Sequence, residues 1–174
     1  MTLKVLILSL VIGFNFGPIS SFTYEPSKLN YECDNIPELN KKIIEFVSSK
    51  INRIVGRGYC WDLAAVPLNL IDANWDGKRK FGRKVDYKEE CIFPGDIIQL
   101  KGIRLKYRDN KGVRYTEIMR NHTAIIYEVK GRHGFVLAHQ NTQGGKPSGK
   151  KVSLSKFEFK NITKGKFIIY RPVY

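Results

Sequence analysis

The sequence predicts an α+β domain in which N-terminal helices pack on a C-terminal antiparallel β-sheet or small barrel. Three observations carry this expectation. Apolar residues recur at spacings of three and four before residue 60, and gather in short strand-like runs after residue 95. Helical and strand texture are therefore segregated along the chain, which argues against the alternating units of a doubly wound fold. At 174 residues, with 43% hydrophobic and 26% charged side chains, the chain can bury one core and is too apolar for general disorder.

Residues 1–21 read as a cleavable signal peptide. Lys4 precedes the apolar run Val5–Phe16, Pro18 breaks that run, and Ser20 and Ser21 suit a cleavage site. The run is shorter than the roughly 20 residues that span a bilayer, so no membrane span is expected after its removal. Residues 22–34 read as a polar leader and residues 35–174 as the domain. A first helix is predicted from an N-cap at Asn35, with Pro37 in its first turn and an apolar stripe of Ile36, Leu39, Ile43, Val47, Ile51 and Ile54 that ends at Gly56 and Gly58. A second helix is predicted to start at Cys60 and to kink or stop at Pro67. Residues 72–90 read as a basic loop. Pro94-Gly95-Asp96 is a turn signal that leads into a strand at Ile97–Leu100. A charged hairpin is expected over residues 101–112, followed by strands at Val113–Met119, Thr123–Val129, Phe135–His139 and Phe167–Arg171.

Charge and cysteine content narrow the setting. Thirty Lys and Arg against sixteen Asp and Glu give +14, and removing residues 1–21 takes away only Lys4, leaving 29 − 16 = +13. Such a field attracts anionic polymers. Aromatic residues are not interleaved with the basic ones as on a nucleic-acid platform, so an exported protein is expected to meet a peptide or an anionic polymer rather than nucleic acid. Three cysteines, Cys33, Cys60 and Cys91, are too few for a disulfide scaffold or a Cys₄ zinc site. In an oxidising compartment the simplest arrangement bonds Cys33 to Cys91 and leaves Cys60 free.

Three segments carry chemistry. Gly56-Arg57-Gly58-Tyr59-Cys60-Trp61-Asp62 sets a cysteine where a glycine-rich loop enters a helix. Unpaired N–H groups and the helix dipole favour a thiolate at such a place. Asn121-His122-Thr123 opens an apolar strand with a histidine, and Leu137-Ala138-His139-Gln140-Asn141 ends a strand with polar groups. A thiolate, an imidazole and an orienting group are what nucleophilic acyl transfer needs. His139 and Asn141 both stand as orienter: the first by its place in the strand, the second because its carbonyl accepts a ring N–H without adding charge.

The order of these segments, with Pro94-Gly95-Asp96 between the first and second, resembles the secreted papain-like hydrolases of the CHAP and NlpC type. The resemblance covers roughly residues 40–141 and rests on motif order. It implies a papain-like fold with Cys60 as nucleophile, His122 as base, and His139 and Asn141 in the third segment, with His139 where an acid is common. It also implies cleavage of a peptide or amide bond, as in peptidoglycan. Two other readings remain: a non-catalytic papain-like domain that binds a partner in the same groove, and an exported protein whose function is to bind polyanions. No cofactor and no metal are expected. Asp72-Ala73-Asn74-Trp75-Asp76-Gly77 imitates the start of a calcium loop, but Arg83 stands where the bidentate glutamate belongs. Asn121-His122-Thr123 and Asn161-Ile162-Thr163 are glycosylation sequons, and a glycan on Asn121 would crowd a catalytic His122.

Overall fold

The apolar runs after Asp96 pair with one another into a single antiparallel sheet. The computed structural model describes Cys33, residues 35–142 and residues 147–174. The signal peptide and, Cys33 apart, the leader expected from the sequence lie outside the described residues. Two helices, α1 (Glu38–Lys50) and α2 (Cys60–Leu70), precede six strands: β1 (Arg83–Val85), β2 (Ile97–Arg108), β3 (Arg114–Val129), β4 (Gly134–His139), β5 (Ser153–Glu158) and β6 (Ile162–Arg171). The strand order is β1-β6-β2-β3-β4-β5, every pairing is antiparallel, and β1 and β5 form the edges. The sheet is thus open rather than a closed barrel among the described residues.

Alternation along the strands feeds two apolar clusters. Leu39, Ile43 and Val47 of α1 and Leu63, Ala64 and Leu68 of α2 share one cluster with Ile97, Ile125, Ala138 and Tyr170. The other face gathers Ile98, Leu100, Ala124, Ile126 and Leu137 with Phe135 and Phe157. The hairpin expected at residues 101–112 is the junction of β2 and β3, closed by Asp109, whose carboxylate accepts the N–H groups of Lys111 and Val113. The runs 113–119 and 123–129 are one continuous strand, because Asn121 and His122 pair with Lys101 and Leu100 of β2 and carry the ladder across the polar residues.

Other boundaries differ from the sequence reading for local reasons. Pro37, not Asn35, holds the N-cap position of α1, without a side-chain cap. The stripe breaks after Val47: Ile51 leaves the helix to bridge Val152, Asn52 takes φ 63°, and Ile54 is 50% exposed. Backbone bonds from Asn52 N–H to Val152 O and from Val152 N–H to Arg53 O outcompete the extra helical turn. Helix α2 runs through Pro67, because Leu63 and Leu68 on either side are fully buried and Ile71 N–H still bonds to Pro67 O. The segment read as a basic loop contains the short edge strand β1, and β5 went unrecognised in a polar run with one buried residue, Phe157.

Pro94-Gly95-Asp96 joins these layers. Gly95 has φ 88°, and a Cβ there would stand 2.5 Å from the backbone oxygen of Asn40 in α1. Only glycine permits that approach. Asp96 is fully buried and accepts from Asn40 Nδ2 (2.8 Å), Phe93 N–H (2.9 Å), Arg171 Nε (3.0 Å) and Arg171 Nη2 (2.8 Å). Arg171 also donates to Cys91 O and lies over the Phe93 ring. Cys33 and Cys91 form a disulfide with Cα atoms 5.7 Å apart, which leaves Cys60 free.

Asp96→Ala would strand the buried Arg171 guanidinium, so it is expected to destabilise the domain by about 3–5 kcal/mol in urea denaturation. Reducing the disulfide, whose cysteines lie 58 residues apart, is expected to cost about 4 kcal/mol in the chain-entropy model. A reduced protein with an unchanged unfolding midpoint would show that the bond constrains nothing.

Candidate active site

The cysteine of the first motif is presented by a loop that other side chains hold. Gly56 (φ 57°) and Gly58 (φ 86°) turn the chain, and a Cβ on Gly56 would press on the Asp62 side chain. Asp62 is buried, and its carboxylate accepts from Arg57 N–H (2.8 Å), Tyr59 N–H (3.3 Å) and Arg57 Nη2 (3.0 Å). It supplies the side-chain half of a capping box at the start of α2. Cys60 is the first residue of α2 and half-buried. The N–H groups of Cys60 and Trp61 are among those that an α-helix leaves without an intrahelical acceptor.

Buried Gln140 ties the same loop to the sheet. Its Nε2 donates to Val55 O (2.9 Å) and Tyr59 O (2.7 Å), and its Oε1 accepts Val55 N–H (3.2 Å). Sequence reasoning passed over Gln140 although it sits between two candidate residues. Strand alternation was the available signal, since it sends residue 140 to the face opposite 139.

His122 in β3 and His139, the last residue of β4, are brought together. His122 Nε2 and His139 Nδ1 lie 3.1 Å apart, with the rings edge to face. Burial lowers the pKa of His122 to about 4. For His139, burial and then the neighbouring His122 lower it to about 3. Both rings are therefore neutral at neutral pH, one donating and one accepting in the shared bond. With its Nε2 engaged, His122 has Nδ1 left to meet another group.

Cys60 and His122 line one cavity of about 280 Å³, together with Trp61, Gln99, Asn121 and Thr123. Register pairs Gln99 with Thr123 and Leu100 with His122. Gln99 and Thr123 thus share the pleat face of Ile97 and Ile125, toward the helices, whereas His122 and His139 share the face of Leu100 and Leu137. Both faces contribute to the cavity. Among the described residues the Cys60 thiol has no hydrogen-bond partner, so Cys60 and His122 share a cavity without a closed bond. Gln99 is 4% exposed, and its Oε1 is buried without a partner. Nothing in a strand-like run marked Gln99 as more than an ordinary strand residue.

Asn141 is placed differently from the expectation. It lies two residues beyond the end of β4 with φ 61°, so the alternation that was to set it on the face of His139 stops before reaching it. It lines a second hollow of about 230 Å³ with both histidines, but makes no hydrogen bond to His122 among the described residues. In the calcium-like motif, Asp76 is occupied: one carboxylate oxygen accepts the N–H groups of Lys78, Arg79 and Lys80 at 2.8–2.9 Å.

A cysteine at a helix start and a histidine on an antiparallel strand that lines the same cavity are what the resemblance to papain-like hydrolases implies. Residues 37–174 match the model of the AIM3/BBC1 cysteine proteinase-fold domain. The chain belongs to that family. Its cysteine proteinase fold agrees with the papain-like frame expected from motif order. No curated protein and no solved structure matches the chain.

The two histidines also predict an acid dependence. Their pKa values lie below the ordinary 6.5, so the unfolded chain takes up protons that the folded one refuses. Stability is then complete above about pH 6.5 and falls as pH drops toward 4, by about 1.4 kcal/mol per pH unit for each proton fully taken up. Urea midpoints between about pH 6.5 and 5, above most carboxylate titration, should decline in the native protein and decline less in His139→Gln. Equal slopes in the two proteins would mean that His139 is not held neutral by burial.

Proposed function

We propose that the domain is a thiol hydrolase of a peptide or amide bond, with Cys60 as nucleophile, His122 as base and His139 as the residue that positions His122. The observation that carries this reading is the 3.1 Å contact between His122 Nε2 and His139 Nδ1, made beside a cavity that His122 shares with Cys60. In the proposed reaction, His122 takes the thiol proton and sulfur attacks the carbonyl carbon. The C–N bond breaks, the leaving amine receives the proton from His122, and water then hydrolyses the thioester. In this reading the helix-start N–H groups of α2 and the Gln99 side-chain N–H would donate to the developing oxyanion. Asn141 is a wall of the neighbouring hollow rather than the orienter.

The CHAP and NlpC kind of hydrolase is the closer analogy by motif order. Export through a signal peptide at residues 1–21, with 35–174 as the working domain, is part of the same proposal. The Cys33–Cys91 disulfide supports it, since such bonds persist in oxidising compartments. A second reading, a binding groove without turnover, is favoured by one observation: the unbonded Cys60 thiol.

Alkylation separates the two. With the disulfide intact, Cys60 is the protein's one thiol, so iodoacetamide uptake by mass reports on it alone. If His122 serves as base, His122→Ala should slow alkylation near pH 7 by at least about tenfold, and His139→Ala by a smaller factor, both without loss of fold. Identical rates in the three proteins would sink the hydrolase and leave the groove.

A further inference from the structure

We propose that the Cys60 cavity selects a substrate carrying a carboxylate beside the bond to be cleaved, and that Lys78 and Arg79 are the residues that select it. This rests on the hydrolase reading for the cleavage and on separate observations for the selection. Lys78 and Arg79 line the same cavity as Cys60. No carboxylate lines it with them, and neither residue forms a salt bridge among the described residues.

These cations sit on a built segment rather than a loose tail. Asp76 gathers the backbone N–H groups of Lys78, Arg79 and Lys80 on one oxygen, and Asp76 N–H bonds to Lys80 O. Trp61, the residue after the nucleophile, donates its indole N–H to Lys78 O. The Trp61 ring packs on Trp75, and Trp75 stacks on buried Phe81. The segment from 75 to 81 is thus fastened to α2 beside Cys60. Its one acid is spent on the backbone, while two positive side chains remain unpaired at the cavity.

Unpaired cations confined to one wall of a concave site raise the local concentration of anions and orient them. A neutral substrate would leave them idle. A carboxylate next to the scissile carbonyl would meet Lys78 and Arg79 while the carbonyl faces Cys60 and Gln99. An acidic peptide, with an Asp or Glu side chain or a terminal carboxylate at that position, has this chemistry.

The test uses two alkylating reagents of similar size and different charge. Iodoacetate is anionic and iodoacetamide neutral, and both report on the single thiol. Rates are measured on the full chain with its disulfide intact, at low ionic strength and about pH 9, where an ordinary thiol is largely ionised. The ratio of the iodoacetate rate to the iodoacetamide rate is expected to fall by at least about threefold in Lys78→Gln/Arg79→Gln, and in the native protein at about 1 M salt, where screening is nearly complete. Both side chains are exposed, and Asp76 is held by backbone groups that the substitutions keep, so the variant should fold. A smaller change in either comparison overturns the proposal. So does a Cys60 that resists both reagents, because the cavity would then be closed to small anions. The ratio cancels the intrinsic reactivity of the thiol, so a failure of the hydrolase reading, seen as equal iodoacetamide rates in native protein and His122→Ala, remains distinct from a failure of charge selection.

Discussion

Asp96 has no exposed surface, yet its two oxygens accept hydrogen bonds from Asn40, from Phe93 N–H and twice from Arg171. Removing a carboxylate and a guanidinium from water costs several kcal/mol for each ion, and only good mutual geometry with further donors offsets it. Here the geometry is bidentate and the extra donors come from two separate parts of the chain. The pair is satisfied in one arrangement only: α1 against the start of β2, and the end of β6 beside both. Arg171 then reaches Cys91 O, so the disulfide that fastens Cys33 ahead of α1 joins the same knot. Whatever its net contribution to stability, this cluster makes alternative placements of α1 costly, because each would leave a charge buried alone.

The same turn sets the register of the site. Gly95 N–H bonds to Ile126 O, and Ile126 N–H to Asp96 O, which locks the start of β2 against β3. Three residues further along β2 lies Gln99, opposite Thr123, and next to it His122 stands opposite Leu100. A slip of one residue would exchange the two pleat faces and carry His122 away from its position. The second constraint is Gln140. By clasping Val55 and Tyr59 it fixes the loop before Cys60 to the end of β4, so the cysteine and His139 are positioned by neighbouring residues of one strand end.

Much of this frame was legible in the sequence, for physical reasons. The four-residue spacing of Leu39, Ile43 and Val47 specifies a helix because all three bury in one apolar cluster. The turn chemistry of Pro94-Gly95-Asp96 and of the tip at Asp109–Gly112 is local and survives in the fold. The pairing of His122 with His139 followed from a short turn between two apolar runs. Tertiary competition was not legible. Ile51 and Ile54 continue the stripe in sequence, but a bridge to Val152, about a hundred residues away, takes the backbone out of the helix. Pro67 carries a strong local veto that the burial of Leu63 and Leu68 overrides. Gln99 and Gln140 look like ordinary polar residues until the fold surrounds them. Asn141 departs from the expected face for a narrower reason: alternation holds only while the strand lasts, and β4 ends at His139, two residues before the left-handed Asn141.

The neutral partner of His122 has a mechanistic consequence. An acid in the third position would stabilise an imidazolium at rest, since an opposite charge within a few ångströms favours the charged form. His139 cannot do this: burial holds each ring neutral, and for His139 the neighbouring His122 adds to the effect. In the proposed reaction His122 therefore gains its proton only as negative charge develops on the neighbouring sulfur, and gives it up again to the leaving amine. Burial, not a neighbouring charge, holds His122 neutral in the empty cavity, so an anionic substrate seated there as proposed would favour the imidazolium by bringing an opposite charge close to it.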